Sequence, residues 1–326
     1  MKESLTVITP VYNGQEYLEE TVASIFTNLG ESFELDYIII NDGSTDKTME
    51  LSEKLVKTYN FRILNQKNMG ESYSVNRGLL AARYENIIVV NADDIILPSA
   101  YFLKAADILK YNQNIVATYC NWKIIDERGV FKEDVFLENF DKVKFISHFK
   151  CYPGPGTIFR KTPALLIGGR AIKYRFVGDY DFWLKLSDFG DFCFVGEFGA
   201  AWRSHGKSTS NAQRNLQMAQ ERIDVIKEYV SGRNLPIKFK RLALSSAYYS
   251  AALLSAFSRK IPGRKFIIKS LLFRLKGNQI RKKIVILYCL LHPLSYYLLN
   301  FLIRKKFGLF LLEKVMNKQV YRFTSK

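Results

Sequence analysis

The sequence predicts an α/β fold in which a mostly parallel, Rossmann-like sheet is flanked by helices. Short runs rich in β-branched residues alternate with segments of helical periodicity over the first hundred residues. That order is typical of a doubly wound sheet. Turn residues and carboxylates directly follow the β-rich runs. In such a sheet these ends meet at one edge, where ligands bind.

The first elements alternate in this way. A β-rich run at residues 5–9 leads into a Pro/Asn/Gly turn, and residues 15–29 then carry apolar side chains at helical spacing. The second β-rich run, residues 37–40, is followed by Asp-Gly-Ser-Thr-Asp at 42–46. This pentapeptide predicts a turn, and one of its hydroxyl side chains could cap the next helix.

The most informative stretch is Asn91-Ala92-Asp93-Asp94, directly after the apolar run 87–90. Adjacent carboxylates repel each other and are costly to hold together unless a cation neutralises them. Mg²⁺ and Mn²⁺ prefer oxygen ligands and usually share them with substrate phosphates. The stretch therefore predicts a divalent-metal site. Taken alone, it also fits a solvated turn in which Asp94 caps a helix.

Together, three motifs resemble the signatures of family 2 glycosyltransferases, which are inverting enzymes of the GT-A fold. They are residues 7–14 (Val-Ile-Thr-Pro-Val-Tyr-Asn-Gly), 41–46 and 91–94. The resemblance covers residues 4 to about 211, and the further matching segments are 68–70, 76–78, 154–160, 178–186 and 202–205. It implies a nucleoside diphosphate sugar donor, expected to be a UDP-sugar, and Mn²⁺ or Mg²⁺ as cofactor.

The resemblance assigns the donor site position by position. Thr9, Pro10 and Tyr12 would line the pocket for the nucleotide base. Asp42 would hydrogen-bond the base or the ribose. Asp93 would contact the ribose or the hydration shell of the metal.

The resemblance also assigns the groups that act on the diphosphate and the acceptor. Asp94 would bind the metal that bridges the two phosphates of the donor. His205, in a basic segment with Arg203 that would suit a diphosphate, would have a metal or phosphate role, with a structural histidine as the alternative. Asp179 would be the general base that deprotonates the acceptor hydroxyl, because a hydroxyl is a poor nucleophile. A helix cap is the alternative for Asp179, whereas Asp181 is expected to support the helix start.

Two departures from the commoner family pattern keep a second class of function open. Asn91 stands where many members have an aspartate, and Val75 where many have an arginine. The alternative is a catalytically degenerate GT-A-like protein that acts as a membrane- or polymer-binding module. The retained carboxylates favour the enzyme. Trp122 could stack on a sugar ring, while Tyr119 is expected in the strand core.

Charge divides the chain into a catalytic region, 1–230, and a basic helical region, 231–326. The second region has 21 Lys and Arg against the single acid Glu313, a net charge of +20; the whole chain carries +17, which leaves −3 for the first. Basic charge mixed with long apolar runs predicts association with an anionic membrane surface, rather than nucleic acid. A solvated helical appendage is the alternative.

Residues 284–303 are long enough for one membrane span, but Pro293 interrupts them, so we expect two short interfacial or packed helices. The first strand begins too early for a signal peptide, and the four cysteines form no CxxC pair. We therefore expect a cytoplasmic protein, peripheral on the cytoplasmic face of the membrane. Its expected reaction is inverting sugar transfer to a glycan or lipid-linked glycan acceptor in surface polysaccharide or glycolipid synthesis.

Overall fold

The computed structural model describes residues 2–148, 151–206, 216–256 and 262–273. Contacts divide these residues into an N-terminal unit, within 1–146 and 150–212, and a C-terminal unit, mainly within 213–326. The C-terminal unit includes the helix that precedes residue 231. The predicted assignment of catalysis to 1–230 and of membrane binding to 231–326 stays a prediction.

The first half of the N-terminal unit alternates strands and helices as predicted, with one strand and one helix more than predicted, at residues 62–65 and 71–81. Its elements are β1 (Glu3–Val11), α1 (Leu18–Leu29), β2 (Phe33–Asn41), α2 (Thr48–Leu55), β3 (Arg62–Asn65), α3 (Glu71–Ala81) and β4 (Asn86–Val89). The second half contains β5 (Ile95–Ile96), α4 (Tyr101–Tyr111), β6 (Ile115–Ile125), β7 (Phe131–Val135), α5 (Lys142–His148), β8 (Ile158–Arg160), α6 (Lys161–Leu166), α7 (Gly178–Leu186) and β9 (Asp191–Arg203).

All of these strands join one sheet, in the order β3-β2-β1-β4-β8-β6-β9-β5, with β7 paired to β6. The β3-β2-β1-β4 part is parallel, and so is the β6–β9 pair. Strand β8 runs antiparallel to both neighbours, and β5 and β7 are antiparallel to theirs. The α/β fold with flanking helices is confirmed. The sheet is mixed, because short later strands return in the opposite direction, which their apolar pattern does not encode.

Helices α1 and α3 pack on the sheet through different contacts. Four residues of the predicted apolar face of α1 are fully buried in a large core cluster (Leu18, Val22, Ile25 and Leu29), and the fifth, Phe26, is partly buried against it. On α3, Gly78 lies so close to β1 that an added Cβ would meet Ile8 Cγ2 at 2.4 Å. The missing side chain therefore sets how closely α3 approaches the sheet.

The C-terminal unit contains α8 (Leu216–Ser231), α9 (Ile237–Ala256) and α10 (Pro262–Phe273). A reciprocal pair of side chain-to-backbone hydrogen bonds joins Ser245 on α9 to Ser270 on α10 (2.8 and 2.6 Å). No helix among the described residues is both long and apolar enough to span a bilayer. The predicted pair of helices at 284–303 lies outside the described residues.

Candidate active site

The turn after β1 is tied to the turn after β2 by hydrogen bonds. Asn13, at φ +54°, accepts from the Thr45 backbone N–H (2.8 Å), and its own N–H donates to Ser44 Oγ (3.0 Å). The cap predicted for α2 is therefore wrong: Lys47 holds the N-cap position without a side-chain cap, and Asp46 Oδ1 accepts from the Thr48 N–H (3.0 Å). The hydroxyls proposed as caps instead fix one turn against the other.

Asp42 is buried at the end of β2 and orders the loop that leads into α3. Its carboxylate accepts from Gln66 Nε2 (2.7 Å) and from the backbone N–H groups of Met69 and Gly70 (both 2.8 Å). Three charge-assisted bonds leave about one lone-pair direction of a carboxylate for a ligand. The predicted contact to base or ribose stays a prediction, and a loop-ordering role is added to it.

The three residues predicted to line the base pocket differ in exposure. Thr9 is fully buried, and its hydroxyl accepts from Tyr37 Oη (3.1 Å), so its side chain belongs to the core. Pro10 is also buried, whereas the Tyr12 side chain is 50% exposed at the start of the turn. Tyr12 is therefore the residue of the three whose ring is accessible to a base.

Asp93 and Asp94 occupy the short connection between β4 and β5, and their environments are different. Asp94 is 3% exposed, and its carboxylate accepts from the Arg203 backbone N–H (3.2 Å) and from Asn91 Nδ2 (3.3 Å). Desolvation, with the charge of Asp93 as a second cause, raises the pKa of Asp94 well above its usual range. This geometry does not match the alternative in which Asp94 caps a helix, because its carboxylate accepts hydrogen bonds from the Asn91 amide and from the Arg203 backbone of β9.

His205 lies next to this aspartate connection. Its Nε2 is 2.8 Å from Asp93 Oδ2, and its ring packs against Tyr17 with 5.0 Å between centroids. The imidazole side chain is 10% exposed. The structure therefore brings His205, Asp93 and Asp94 together, as the predicted roles require.

Arg203 has a structural role in the site, and the sequence did not predict its position there. Its guanidinium is buried: Nε donates to the Asp93 carbonyl (3.0 Å), and Nη2 lies 2.5 Å from Glu20 Oε2. The ring of Tyr17 is 4.7 Å from its Cζ. These contacts point the charge into the protein, so Arg203 braces the aspartate connection rather than presenting its guanidinium to a diphosphate. The alternation of side chains along β9 could have indicated that Arg203 is buried, because it lies on the same face of the strand as the buried Ala201.

The donor atoms present fit a shared metal site, but they do not form a complete one. Within the described ranges, no group of three or more His, Cys, Asp or Glu side chains is arranged to hold an ion. Mg²⁺ characteristically takes one or two carboxylates and completes its shell with water and substrate phosphates. A cation would stabilise the charged form of a buried carboxylate that lies beside a second acid. Asp94 is such a carboxylate.

Asp179 and Asp181, both in the first turn of α7, are clearly distinguished by the structure. Asp181 is buried and pairs with Lys185 Nζ at 2.6 Å, so it supports the helix as expected. Asp179 is exposed, and its Oδ1 accepts from the neighbouring Tyr180 N–H (2.7 Å). Its carboxylate is therefore accessible, as a general base must be.

The start of α7 lies close to the start of α3. An added Cβ at Gly178 would meet Ser72 Oγ at 2.7 Å, and Gly70, just before α3, bonds Asp42. The charge of Glu71 also acts on Asp94, with the same sign as that of Asp93. Asp42 and the start of α7, which carries Asp179, thus both lie against the first turn of α3, and the Glu71 charge in that turn helps to raise the pKa of Asp94. The exposed side of this group is the candidate active site.

Comparison with known sequences identifies the family. The sequence profile described as Glycosyl transferase family 2 matches residues 6–174. An uncharacterized glycosyltransferase of Rickettsia typhi is 24% identical over 316 residues, which cover 87% of this chain and 95% of the relative. A poly-β-1,6-N-acetyl-D-glucosamine synthase of Staphylococcus aureus is 34% identical over 174 residues, covering 51% of this chain and 42% of the synthase.

Solved structures show the same fold. TarS of S. aureus (residues 1–349) in complex with UDP-GlcNAc superposes with a TM-score of 0.62 at 19% identity, over 91% of this chain and 87% of TarS. A mannosyltransferase of Pyrobaculum calidifontis, in complex with GDP-Man and Mn²⁺, gives a TM-score of 0.54 at 16% identity, over 92% and 88%. The chain has the GT-A fold and belongs to glycosyltransferase family 2.

Proposed function

We propose that the protein is a metal-dependent inverting glycosyltransferase that moves a sugar from a UDP-sugar to a hydroxyl of a glycan or lipid-linked glycan acceptor. The observation that carries the proposal is the contrast between two carboxylates near the first turn of α3. Asp94 is buried beside a second acid, whereas Asp179 is exposed at a helix start. The first suits a cation and the second suits a proton acceptor.

In the proposed reaction Asp179 accepts the proton of the acceptor hydroxyl as that oxygen attacks the anomeric carbon. Attack opposite the leaving diphosphate inverts the anomeric centre. Tyr12 and Asp42 bind the nucleoside, and Asp42 also keeps the 66–70 loop in place. Asp94, with Asp93 and His205 beside it, would hold a divalent ion, which would stabilise the charge that develops on the leaving diphosphate.

Two relatives support the choice of donor and pathway class. TarS was crystallised with UDP and with UDP-GlcNAc, and the synthase of S. aureus is named for a poly-N-acetylglucosamine product. We therefore propose a UDP-sugar donor, with UDP-N-acetylglucosamine tested first, and a role in assembly of a surface polysaccharide or glycolipid.

The degenerate alternative was raised by Asn91 and Val75. The structure gives Asn91 a place in the site, because its amide donates to Asp94 (3.3 Å). Val75 is buried on α3, away from any role in contacting a base. The contact between Asn91 and Asp94 favours the enzyme.

The decisive experiment is calorimetric titration of the full chain with UDP, with and without Mn²⁺, followed by UDP-glucose, UDP-galactose and UDP-N-acetylglucosamine. We expect Mn²⁺-dependent binding that Asp94→Asn weakens by at least about a hundredfold and that Asp179→Asn leaves within about twofold. Absence of binding for every one of these nucleotides, in protein shown to be folded by circular dichroism, would reject the proposed UDP-sugar donor.

The C-terminal unit supports the proposed peripheral membrane site. Helix α10 buries Ile267 and leaves Lys265, Ile268, Lys269 and Leu272 exposed. An exposed stripe that mixes lysines with aliphatic side chains suits the headgroup region of an anionic bilayer. We propose that this unit holds the enzyme near lipid-linked acceptors on the cytoplasmic face.

A further inference from the structure

Three consecutive residues at the start of α3 connect two parts of the candidate active site. The N–H of Gly70 donates to the carboxylate of Asp42 (2.8 Å), the proposed nucleoside contact. The Ser72 hydroxyl oxygen would lie 2.7 Å from a Cβ added at Gly178, the residue that precedes the proposed base. Glu71 stands between these two residues, and its side chain is 50% exposed. The first turn of α3 therefore places an accessible carboxylate between the proposed nucleoside contact and the start of α7.

A buried arginine holds the Glu71 side chain in place. Arg170 Nη1 donates to Glu71 Oε1 (2.7 Å), and the arginine side chain is only 9% exposed. A guanidinium that has lost its solvation strongly favours the arrangement in which its charge is compensated. Within the described ranges, Glu71 Oε2 accepts no hydrogen bond. The ion pair therefore fixes one oxygen of the carboxylate and leaves the second for a ligand.

The contacts of Arg170 differ from those of Arg203, which is also buried. Nε, Nη1 and Nη2 of Arg203 all donate to protein oxygens, as is expected of a structural brace. Arg170 Nε is buried without a partner among the described residues, and the side-chain hydrogen bond of Arg170 there goes to Glu71. The charge of Arg170 thus serves Glu71 specifically.

Backbone contacts fix Arg170 against α3. Asn76 accepts from the Arg170 N–H (2.7 Å) and donates to the Arg170 carbonyl (2.8 Å). Gly169 allows this approach, because it has φ +71° and an added Cβ would lie 2.3 Å from Asn76 Oδ1. The carbonyl of Ala171 would lie 3.5 Å from a Cβ at Gly178. The ion pair is therefore held on a surface that joins α3 to the start of α7, and its preorganisation favours ligand binding.

We propose that Glu71 binds hydroxyl groups of the sugar that is transferred, and that Arg170 is its positioning residue. Inverting attack opposite the leaving group requires this sugar to lie between the diphosphate and the general base. A carboxylate accepts strong, charge-assisted hydrogen bonds from hydroxyl groups. The inference rests on the proposed function, and it names a further part of the donor that the chain recognises: the hydroxyls of the sugar, as distinct from UDP.

The test is a ratio of two dissociation constants, that of the UDP-sugar divided by that of UDP, measured by calorimetry on the full chain with Mn²⁺. The UDP-sugar is whichever of UDP-glucose, UDP-galactose and UDP-N-acetylglucosamine binds the wild-type protein most tightly. We expect Glu71→Ala to raise the ratio about tenfold, because the variant loses a bond to the sugar and keeps the contacts to UDP. Glu71→Gln keeps an acceptor oxygen and should raise the ratio only about threefold.

Arg170→Met separates positioning from direct contact. It should raise the ratio about threefold, because Glu71 loses its fixed orientation. Added to Glu71→Ala, the same substitution should raise the ratio no further, because Arg170 acts through Glu71. An Arg170 with a merely structural role would instead lower the midpoint of urea unfolding and leave the ratio unchanged.

Glu50→Ala is the matched control, because Glu50 is an exposed acid in the first turn of α2. This variant removes the same charge from a helix N-terminus and should leave the ratio unchanged. Circular dichroism reports whether each variant is folded.

An unchanged ratio in folded Glu71→Ala would overturn the inference, and so would equal weakening of UDP and the UDP-sugar. These results leave the proposed function standing, because the protein still binds UDP. A folded wild-type protein that binds neither UDP nor any of the UDP-sugars would reject the proposed donor and this inference with it.

Discussion

At the scale of single residues, Asp179 and Asp181 lie in one helix turn but differ in environment, and we propose a chemical role for the first only. Both acids stand two positions apart in the sequence, yet only Asp181 is buried and ion-paired. We predict that Asp179→Asn keeps UDP binding and lowers the rate of sugar transfer by roughly 10²- to 10⁴-fold, since a general base contributes about that much.

Asp181→Asn is the matched control for that prediction. It should lower the midpoint of urea unfolding, because Lys185 loses its charged partner, while transfer per folded molecule changes little. Both variants are measured by single-turnover transfer from the donor found by calorimetry and by urea titration. An equal loss of the transfer rate in the two variants would contradict the role of Asp179 as the general base.

The environment of Asp94 leads to a pH prediction. Its pKa is raised in the folded, metal-free protein, so Asp94 favours folding at pH values below its unfolded pKa, and this contribution is lost as the pH rises through the folded pKa. Metal binding requires the charged form. We therefore expect Mn²⁺-UDP binding to release a proton and to weaken as the pH falls below the raised pKa of Asp94.

Calorimetry in two buffers of different ionisation enthalpy measures that proton directly. In Asp94→Asn the released proton should disappear from whatever binding remains. An observed enthalpy that is the same in both buffers for the wild-type protein, across the acid range, would show that Asp94 binds already charged.

At the scale of elements, the approach of α3 to β1 sets the position of the loop that Asp42 orders. Gly78→Ala gains helix propensity of about 1 kcal/mol. It also places a Cβ 2.4 Å from the Cγ2 methyl group of Ile8, a fully buried residue. Overpacking costs about 1–3 kcal/mol, so we predict net destabilisation of about 1 kcal/mol and weaker UDP binding.

Urea unfolding and UDP titration measure the two effects. Leu80→Ala on the same helix is the control, since Leu80 is 76% exposed and should change stability by less than about 0.5 kcal/mol. A Gly78→Ala protein more stable than wild type would mean that α3 can shift away from the sheet without cost.

The elements also show what could be predicted from the sequence. Strands β1, β2 and β4 and helix α1 follow from their apolar patterns, and the acids after β2 and β4 are where the pattern puts them, whereas β3 and α3 were not predicted. The direction of β8 and the pairing of β5 with β9 are not encoded locally, because strands of two or three residues carry too little pattern. The structural role of Arg203 is not encoded locally either, because its partners Glu20 and Asp93 are far away in sequence.

At the scale of the whole molecule, the basic C-terminal region is predicted to bind anionic membranes. Sedimentation with vesicles is expected to recover the full chain when they contain phosphatidylglycerol, and not when they contain phosphatidylcholine alone. Reversing Lys265 and Lys269 to glutamate should weaken binding by at least about tenfold, because each basic residue near an anionic surface contributes about 1 kcal/mol.

The matched control reverses Lys54 and Lys57, two exposed lysines of the N-terminal unit, and so changes the net charge equally. Equal losses in both double variants would indicate a general effect of net charge. If the wild-type chain binds no vesicle, the C-terminal region is a solvated helical appendage rather than a membrane-binding one.

The pairing of β5 with β9 has a consequence for biosynthesis of the protein. Ile95 and Ile96 pair with Ala201 and Ala200, more than a hundred residues further along the chain. Strands β1 to β4 pair among themselves across short crossovers and can assemble while the ribosome is still translating the rest. The aspartate connection acquires its shape only once β9 has been released and has docked. A nascent chain would therefore fold β1 to β4 before the aspartate connection has its final shape, so the proposed site is completed in the last step of assembling the sheet.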